Sequence, residues 1–170
     1  VLWALGYPTQ ALRQTQEALA LAHELAHPMS LGIALNWAAI VYQFRREARK
    51  VREYAEAAMA LCSAQGFSFY LAWGTLMRGW VLAEQGHHEE GIAQMRQSLA
   101  AQLATGAKLL RPYYLGLLAE AQARAGQIQQ GLSLVAEALA VAEQNGARVY
   151  EAELYRLRGE LALAQFSTQR

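Results

Sequence analysis

The segment with the sharpest chemical content is His23-Glu24-Leu25-Ala26-His27. Two histidines one helical turn apart can hold zinc on a single face, with the glutamate between them acting as base toward metal-bound water. Such a centre needs a third ligand, and the nearby carboxylate of suitable spacing is Glu47, which lies on a basic turn. Pro28 follows His27 directly, and proline belongs in the first turn of a helix rather than its interior. His27 is therefore expected at a helix end, outside the rigid turn that a zinc hydrolase requires. The structural alternative is a histidine placed favourably at the negative end of a helix dipole.

Other chemistry-bearing groups read the same way. His87-His88-Glu89-Glu90 could gather a metal, but acids in the first turn of a helix are stabilising without one. Arg45-Arg46, Arg49-Lys50 and Arg52 form a basic cluster without the aromatic or glycine pattern of a nucleic-acid or phosphate site. Cys62 shares a register with Ala22 and Ala142, as a small buried side chain does. There is no glycine-rich phosphate loop after a strand and no Ser–His–Asp grouping. The sequence assigns no catalytic residue, no metal ligand and no cofactor, and the expectation is a chain that is not an enzyme.

The elements that would position these groups are helices. Ala and Leu dominate a 170-residue chain that is 54% hydrophobic and 17% charged, a balance far from that of a disordered segment. A net charge of +1 argues against a dedicated nucleic-acid or membrane-surface binder. No apolar run reaches the length of a membrane span. A single cysteine cannot form an internal disulfide, which points to a reducing cytoplasm. The opening Val1-Leu2-Trp3 carries neither an initiator Met nor a signal peptide and reads as part of a longer protein.

Self-similarity organises the rest. Gly86 and Gly126 are 40 residues apart, and Gly6 precedes Gly86 by 80. Gly66, Gly106 and Gly146 repeat the interval, as do Leu19, Met59, Leu99 and Leu139. So do Ala18, Ala58, Ser98 and Ala138, and Ala39, Gly79, Ala119 and Gly159. Between the glycines the apolar residues keep helical spacing, as in Leu132, Val135, Ala136, Leu139 and Ala142. Glycine after each stretch is a helix stop. The reading is helices near 8–26, 28–45, 48–65, 68–85, 88–105, 108–125, 128–145 and 148–165. No pair can bury its apolar face alone, so the pairs must stack.

This spacing resembles the tetratricopeptide repeat, a helix pair with small residues at fixed points. The third unit supplies Gly79, Gly86, Gly91 and Ser98, and the fourth Ala119, Gly126, Gly131 and Ala138. The second gives Ala39, Arg46, Val51 and Ala58, so its turn departs from the pattern. The interval of 40 exceeds the usual 34 by six residues, placed between one second helix and the next first helix. Such long repeats resemble those in sensor regions of large bacterial regulators. The segment Leu154-Tyr155-Arg156-Leu157-Arg158-Gly159-Glu160-Leu161 is similar to segments near the end of bacterial proteins that join a nucleotide-cyclase or ATPase domain to repeats. The expected fold is an all-α solenoid of antiparallel helix pairs in a right-handed superhelix. It is one repeat domain over 1–170, with a half-unit at 1–26, pairs at 28–65, 68–105 and 108–145, and a half-unit at 148–165.

In that family the first helix of each pair lines a concave groove. Carried over by position, the resemblance implies a groove of Ile33, Asn36, Ile40 and Phe44, then Trp73, Trp80 and Glu84, then Tyr113, Glu120 and Arg124, and finally Arg156 and Glu160. Apolar, aromatic residues grading into charge suit a recognition surface. The same rings are core if the longer helices let the superhelix close. The function implied is a scaffold for a protein partner, a peptide or helix, without nucleic acid or membrane. The alternative is a small-molecule sensor acting on a linked effector. Uncapped terminal helices, apolar at Leu154, Leu157, Leu161 and Leu163, could also form a homodimer.

Overall fold

The computed structural model describes residues 2–106 and 110–168. Eight α-helices follow in order: α1 Pro8–Glu24, α2 Pro28–Phe44, α3 Ala48–Gln65, α4 Ser68–Glu84, α5 His88–Ala104, α6 Arg111–Arg124, α7 Ile128–Asn145 and α8 Glu151–Thr168, the last preceded by a short 3-10 turn at Arg148–Tyr150. No strand occurs among the described residues. The fold class is that of an all-α solenoid of antiparallel helix pairs. The expected start of the sixth helix, near 108, lies outside the described residues. All three prolines sit in the first turn of a helix, at Pro8, Pro28 and Pro112, where the missing N–H leaves no gap in the hydrogen bonding.

One conformational device ends every helix before α8. Gly6, Ala26, Arg46, Gly66, Gly86, Gly106, Gly126 and Gly146 all have positive φ, one residue in every twenty. At most of these stops the following N–H reaches back to a carbonyl five residues earlier, as from Phe67 to Cys62 (2.9 Å), Gln127 to Gln122 (2.9 Å) and Ala147 to Ala142 (3.0 Å). This closes the last turn and satisfies carbonyls the helix leaves open.

The chain divides into two compact units, Val1–Val81 and Leu82–Arg170. In the first, α1 packs on α2 and α2 on α3. Leu19, Leu35, Ala38 and Ala58 form a core cluster there, with Leu31, Ala34, Tyr54 and Leu61 against it. Gly74 brings α4 onto α3: a Cβ there would stand 3.1 Å from the Ala55 carbonyl oxygen and 3.0 Å from Met59 Cγ. In the second unit α5, α6, α7 and α8 pack consecutively around Met95, Tyr114, Leu118, Val135 and Leu154. The 40-residue register is the register of burial: Ala55, Met95 and Val135 have no exposed surface, and Ala58, Ser98 and Ala138 have almost none.

Candidate interaction surface

The residues expected along the first helices fall on α2 and α4 in the first unit and on α4, α6 and α8 in the second. In the first unit Ile33 and Phe44 are half-buried, and Phe44 stacks on Trp3 with ring centres 5.4 Å apart. Asn36 and Ile40 have no exposed surface. The Asn36 amide nitrogen donates to the carbonyls of Gly32 (2.9 Å) and Tyr70 (3.3 Å), tying α2 to α4. Trp73 and Trp80 are 2% and 1% exposed, so a partner on the outside touches neither ring.

Within the aromatic group around Trp73 the most open ring is Trp37, 40% exposed, which meets Trp73 edge to face at 5.2 Å. Phe69 and Tyr70 complete the group around Trp73, at 6.0 and 6.2 Å. Trp37 was legible from spacing: Ile33, Trp37, Ile40 and Phe44 follow i, i+4, i+7, i+11 along one face of α2. The residues carried over by family position pass over it.

In the second unit Tyr113 is 6% exposed and stacks on Tyr150 at 4.9 Å. Burial pushes the Tyr150 hydroxyl up to about 12, and burial raises Tyr114 as well, with Tyr113 and Tyr150 adding to it, because an aromatic interior disfavours phenolate. The charged residues stay at the surface. Arg124 bridges two carboxylates, Glu84 at 3.0 Å and Glu120 at 3.2 Å. Glu84 and Glu120 expose only 18% and 17% of their side chains, against 41% for Arg124. Arg156 pairs with Glu153 at 2.6 Å and also with Glu160, and the Glu153 hydrogen bond is the main cause of its raised pKa. Arg124 and Arg156 are thus each flanked by two carboxylates.

The zinc-like motif is split by the fold. His23 lies in the last turn of α1, Ala26 turns the chain at φ 48°, and His27 caps α2 by accepting from the Ser30 N–H at 3.3 Å. The two rings thus belong to different elements. Among the described residues no three His, Cys, Asp or Glu side chains gather as a metal-holding group. His87, His88, Glu89 and Glu90 line an open cleft of about 500 Å³ together with Gly86, Ala125 and Gln127. In the basic cluster Arg45 pairs with Glu47, and Lys50 pairs with Glu53 at 2.9 Å. Local carboxylates thus offset part of the positive charge. Cys62 is fully buried, and burial raises its thiol pKa, which keeps it protonated and unreactive. No described helix is long and apolar enough to cross a membrane.

No family model matches the sequence. An uncharacterised protein of Rhizobium meliloti (strain 1021) is 24% identical over 160 residues, which is 94% of this chain and 16% of that protein. The chain thus spans 16% of the length of the curated relative it matches. Among solved structures, a Podosopora anserina kinesin light chain with nearly identical TPR-like repeats superimposes with a TM-score of 0.57 at 19% identity, over 99% of this chain and 92% of that one. A single-substitution variant of the same protein gives 0.56 with the same coverage. With the consecutive helix pairs and the 40-residue register, these likenesses show a TPR-like helical-repeat fold.

Proposed function

We propose that this chain is a protein-interaction scaffold, without catalytic activity, that binds a peptide or helix along its first helices. The observation that carries this reading is the Glu84–Arg124–Glu120 network. Three charged side chains from two successive first helices are held in one arrangement while part of each stays open to solvent. Such preordered charge fixes the orientation of a partner at little further cost in side-chain entropy. The carboxylates that flank Arg124 and Arg156 suit a partner with basic residues, and Trp37 supplies an apolar anchor in the first unit. The long relative supports a further proposal, that the scaffold is a regulatory part of a larger bacterial protein.

Selection from a displayed peptide library tests this. Basic amphipathic sequences should be enriched, and their binding should be lost when Glu84 and Glu120 are both changed to Gln. Enrichment indifferent to that change would sink the reading.

A second reading, a small-molecule sensor, has its own observation. Asn36 Oδ1 and Trp80 Nε1 in the first unit, and both amide atoms of Gln122 in the second, are buried without a hydrogen-bond partner among the described residues. Buried polar groups are nearly always satisfied, so within each unit these atoms suit a small polar ligand. Native mass spectrometry decides between the readings: a stoichiometric organic adduct favours the sensor, and bare protein favours the scaffold.

A further inference from the structure

One place in the register carries three different charges. Arg49-Lys50 lies in the first turn of α3, Glu89-Glu90 in that of α5 and Gln129-Gln130 in that of α7, each pair 40 residues from the next. The same fold position thus accepts cations, anions or neutral amides, so packing does not require the positive pair. The helix dipole disfavours it, because the first turn is the positive end of a helix, where acids stabilise and bases do not. α3 has neither an acid in its first turn nor a side-chain cap, whereas α5 has Glu89 and Glu90 there.

The cations around this turn come from both helices. Arg45 and Arg46 follow α2, and Arg49, Lys50 and Arg52 begin α3. A chain with a net charge of +1 thus places five of its fifteen Lys and Arg within eight positions. Arg45, Arg46, Arg49 and Arg52 are all exposed. Arg45 has a local reason, since bases suit the negative end of α2. Arg46 holds, at φ 58°, the left-handed place that Gly86 and Gly126 fill in the following pairs.

Two of the five already show which group the turn accepts. Arg45 Nε donates to Glu47, and Lys50 Nζ donates to Glu53 Oε2 at 2.9 Å. Lys50 also lies over the Tyr54 ring at 5.7 Å, and Tyr54 stacks on the buried Tyr42 with ring centres 5.2 Å apart. Its ammonium is therefore held in place. Arg49 and Arg52 make no ion pair among the described residues. Three positions apart, they share one side of α3, where like charges repel unless an anion lies between them.

Within residues 41–56 no large apolar or aromatic side chain is exposed, so the patch offers bases nothing to stack on and a bilayer nothing to insert. Carboxylates fit it: they can take a guanidinium group bidentately and are favoured at the positive end of α3.

We propose that the α2–α3 turn is a second docking surface, which takes an acidic segment of a partner protein on Arg49 and Arg52. It uses none of Glu84, Glu120, Arg124 and Trp37, so it stands or falls separately from the reading above. Fluorescence anisotropy of the whole chain with a labelled glutamate-rich peptide tests it. The peptide should bind, and more weakly as salt rises. Arg49→Gln with Arg52→Gln should weaken binding about tenfold or more, while the protein melts no lower than the parent. Arg13→Gln with Arg96→Gln removes the same charge from α1 and α5 and should leave the affinity unchanged. No binding at low salt would overturn the proposal, as would binding that survives the Arg49 and Arg52 change or falls equally in the control. A lower melting temperature would assign the two arginines to the fold and overturn it too. So would an RNA oligonucleotide or an anionic vesicle that binds more tightly than the peptide and is lost on the same change.

Discussion

The Ala119 carbonyl oxygen lies 3.0 Å from the point where Gly131 would carry a Cβ, with Leu161 Cδ1 at 3.1 Å from the same point. One glycine therefore sets how closely α7 approaches α6 and α8. Gly131→Ala places a methyl against backbone that cannot rotate away, and should destabilise by about 1–3 kcal/mol. Gly159→Ala is the control. It stands in register with Ala119 but has open space around its Cβ position. There alanine should raise the stability of the monomer by about 0.5–1 kcal/mol through helix propensity alone. Urea denaturation at a concentration where the protein is monomeric checks both signs, and equal effects at the two sites would refute the close approach.

The ladder of left-handed residues makes a second prediction. Ala26, at φ 48°, adopts by constraint what glycine adopts freely. Ala26→Gly should stabilise by about 0.5–1 kcal/mol, because the strain relieved exceeds the entropy glycine adds to the unfolded chain. Gly126→Val, at φ 78° with nothing within 4 Å, should destabilise by about 1–3 kcal/mol from backbone strain without any clash. Thermal melts separate the two, and a destabilising Ala26→Gly would show that the turn does not need this conformation.

These positions also show what the sequence could tell. The stops at Gly66, Gly86, Gly106, Gly126 and Gly146 are legible because glycine announces positive φ. Ala26 and Arg46 occupy the same conformation without that mark, and only the interval of 40 points to them. The helix-pair fold and the first-turn places of Pro8 and Pro28 follow from local signals. By contrast, α8 spans Glu151–Thr168 against the expected 148–165, and Pro112, in the first turn of α6, falls inside the expected helix 108–125. Exposure was not legible. Trp73, Trp80 and Tyr113 lie on the expected helices, yet their burial depends on which neighbours cover each face, and one helix's periodicity does not specify that. Phe166 is the opposite case. Its identity breaks the glycine ladder, and α8 runs on through it, past the expected end at 165.

Trp80 and Trp37 should therefore respond differently to truncation. Trp80 is 1% exposed, and Trp80→Ala should cost about 3–5 kcal/mol by opening a large cavity. Trp37→Ala removes a ring already 40% exposed and should cost about 1 kcal/mol, mainly from the lost edge contact with Trp73. Chemical denaturation with circular dichroism reads both. If Trp80→Ala leaves stability unchanged while abolishing peptide capture, the ring belongs to a binding surface after all.

Alkali provides the last test. Burial raises Tyr150 from its ordinary value of 10.0 to about 12, so the folded protein holds the phenol protonated where the unfolded chain has already released the proton. The stabilising contribution is whole below pH 10 and is lost as pH rises toward 12. Since the ring is partly accessible to solvent, the loss should be no more than about 2 kcal/mol. Lysines and other tyrosines titrate in the same window, so the informative quantity is a difference. Tyr150→Phe keeps the stack on Tyr113 and removes the titrating hydroxyl. Its stability should fall less steeply between pH 10 and 12 than that of the parent chain. Parallel curves would mean that Tyr150 ionises as freely in the folded protein as in the unfolded one, and the Tyr113–Tyr150 stack would then be open to water.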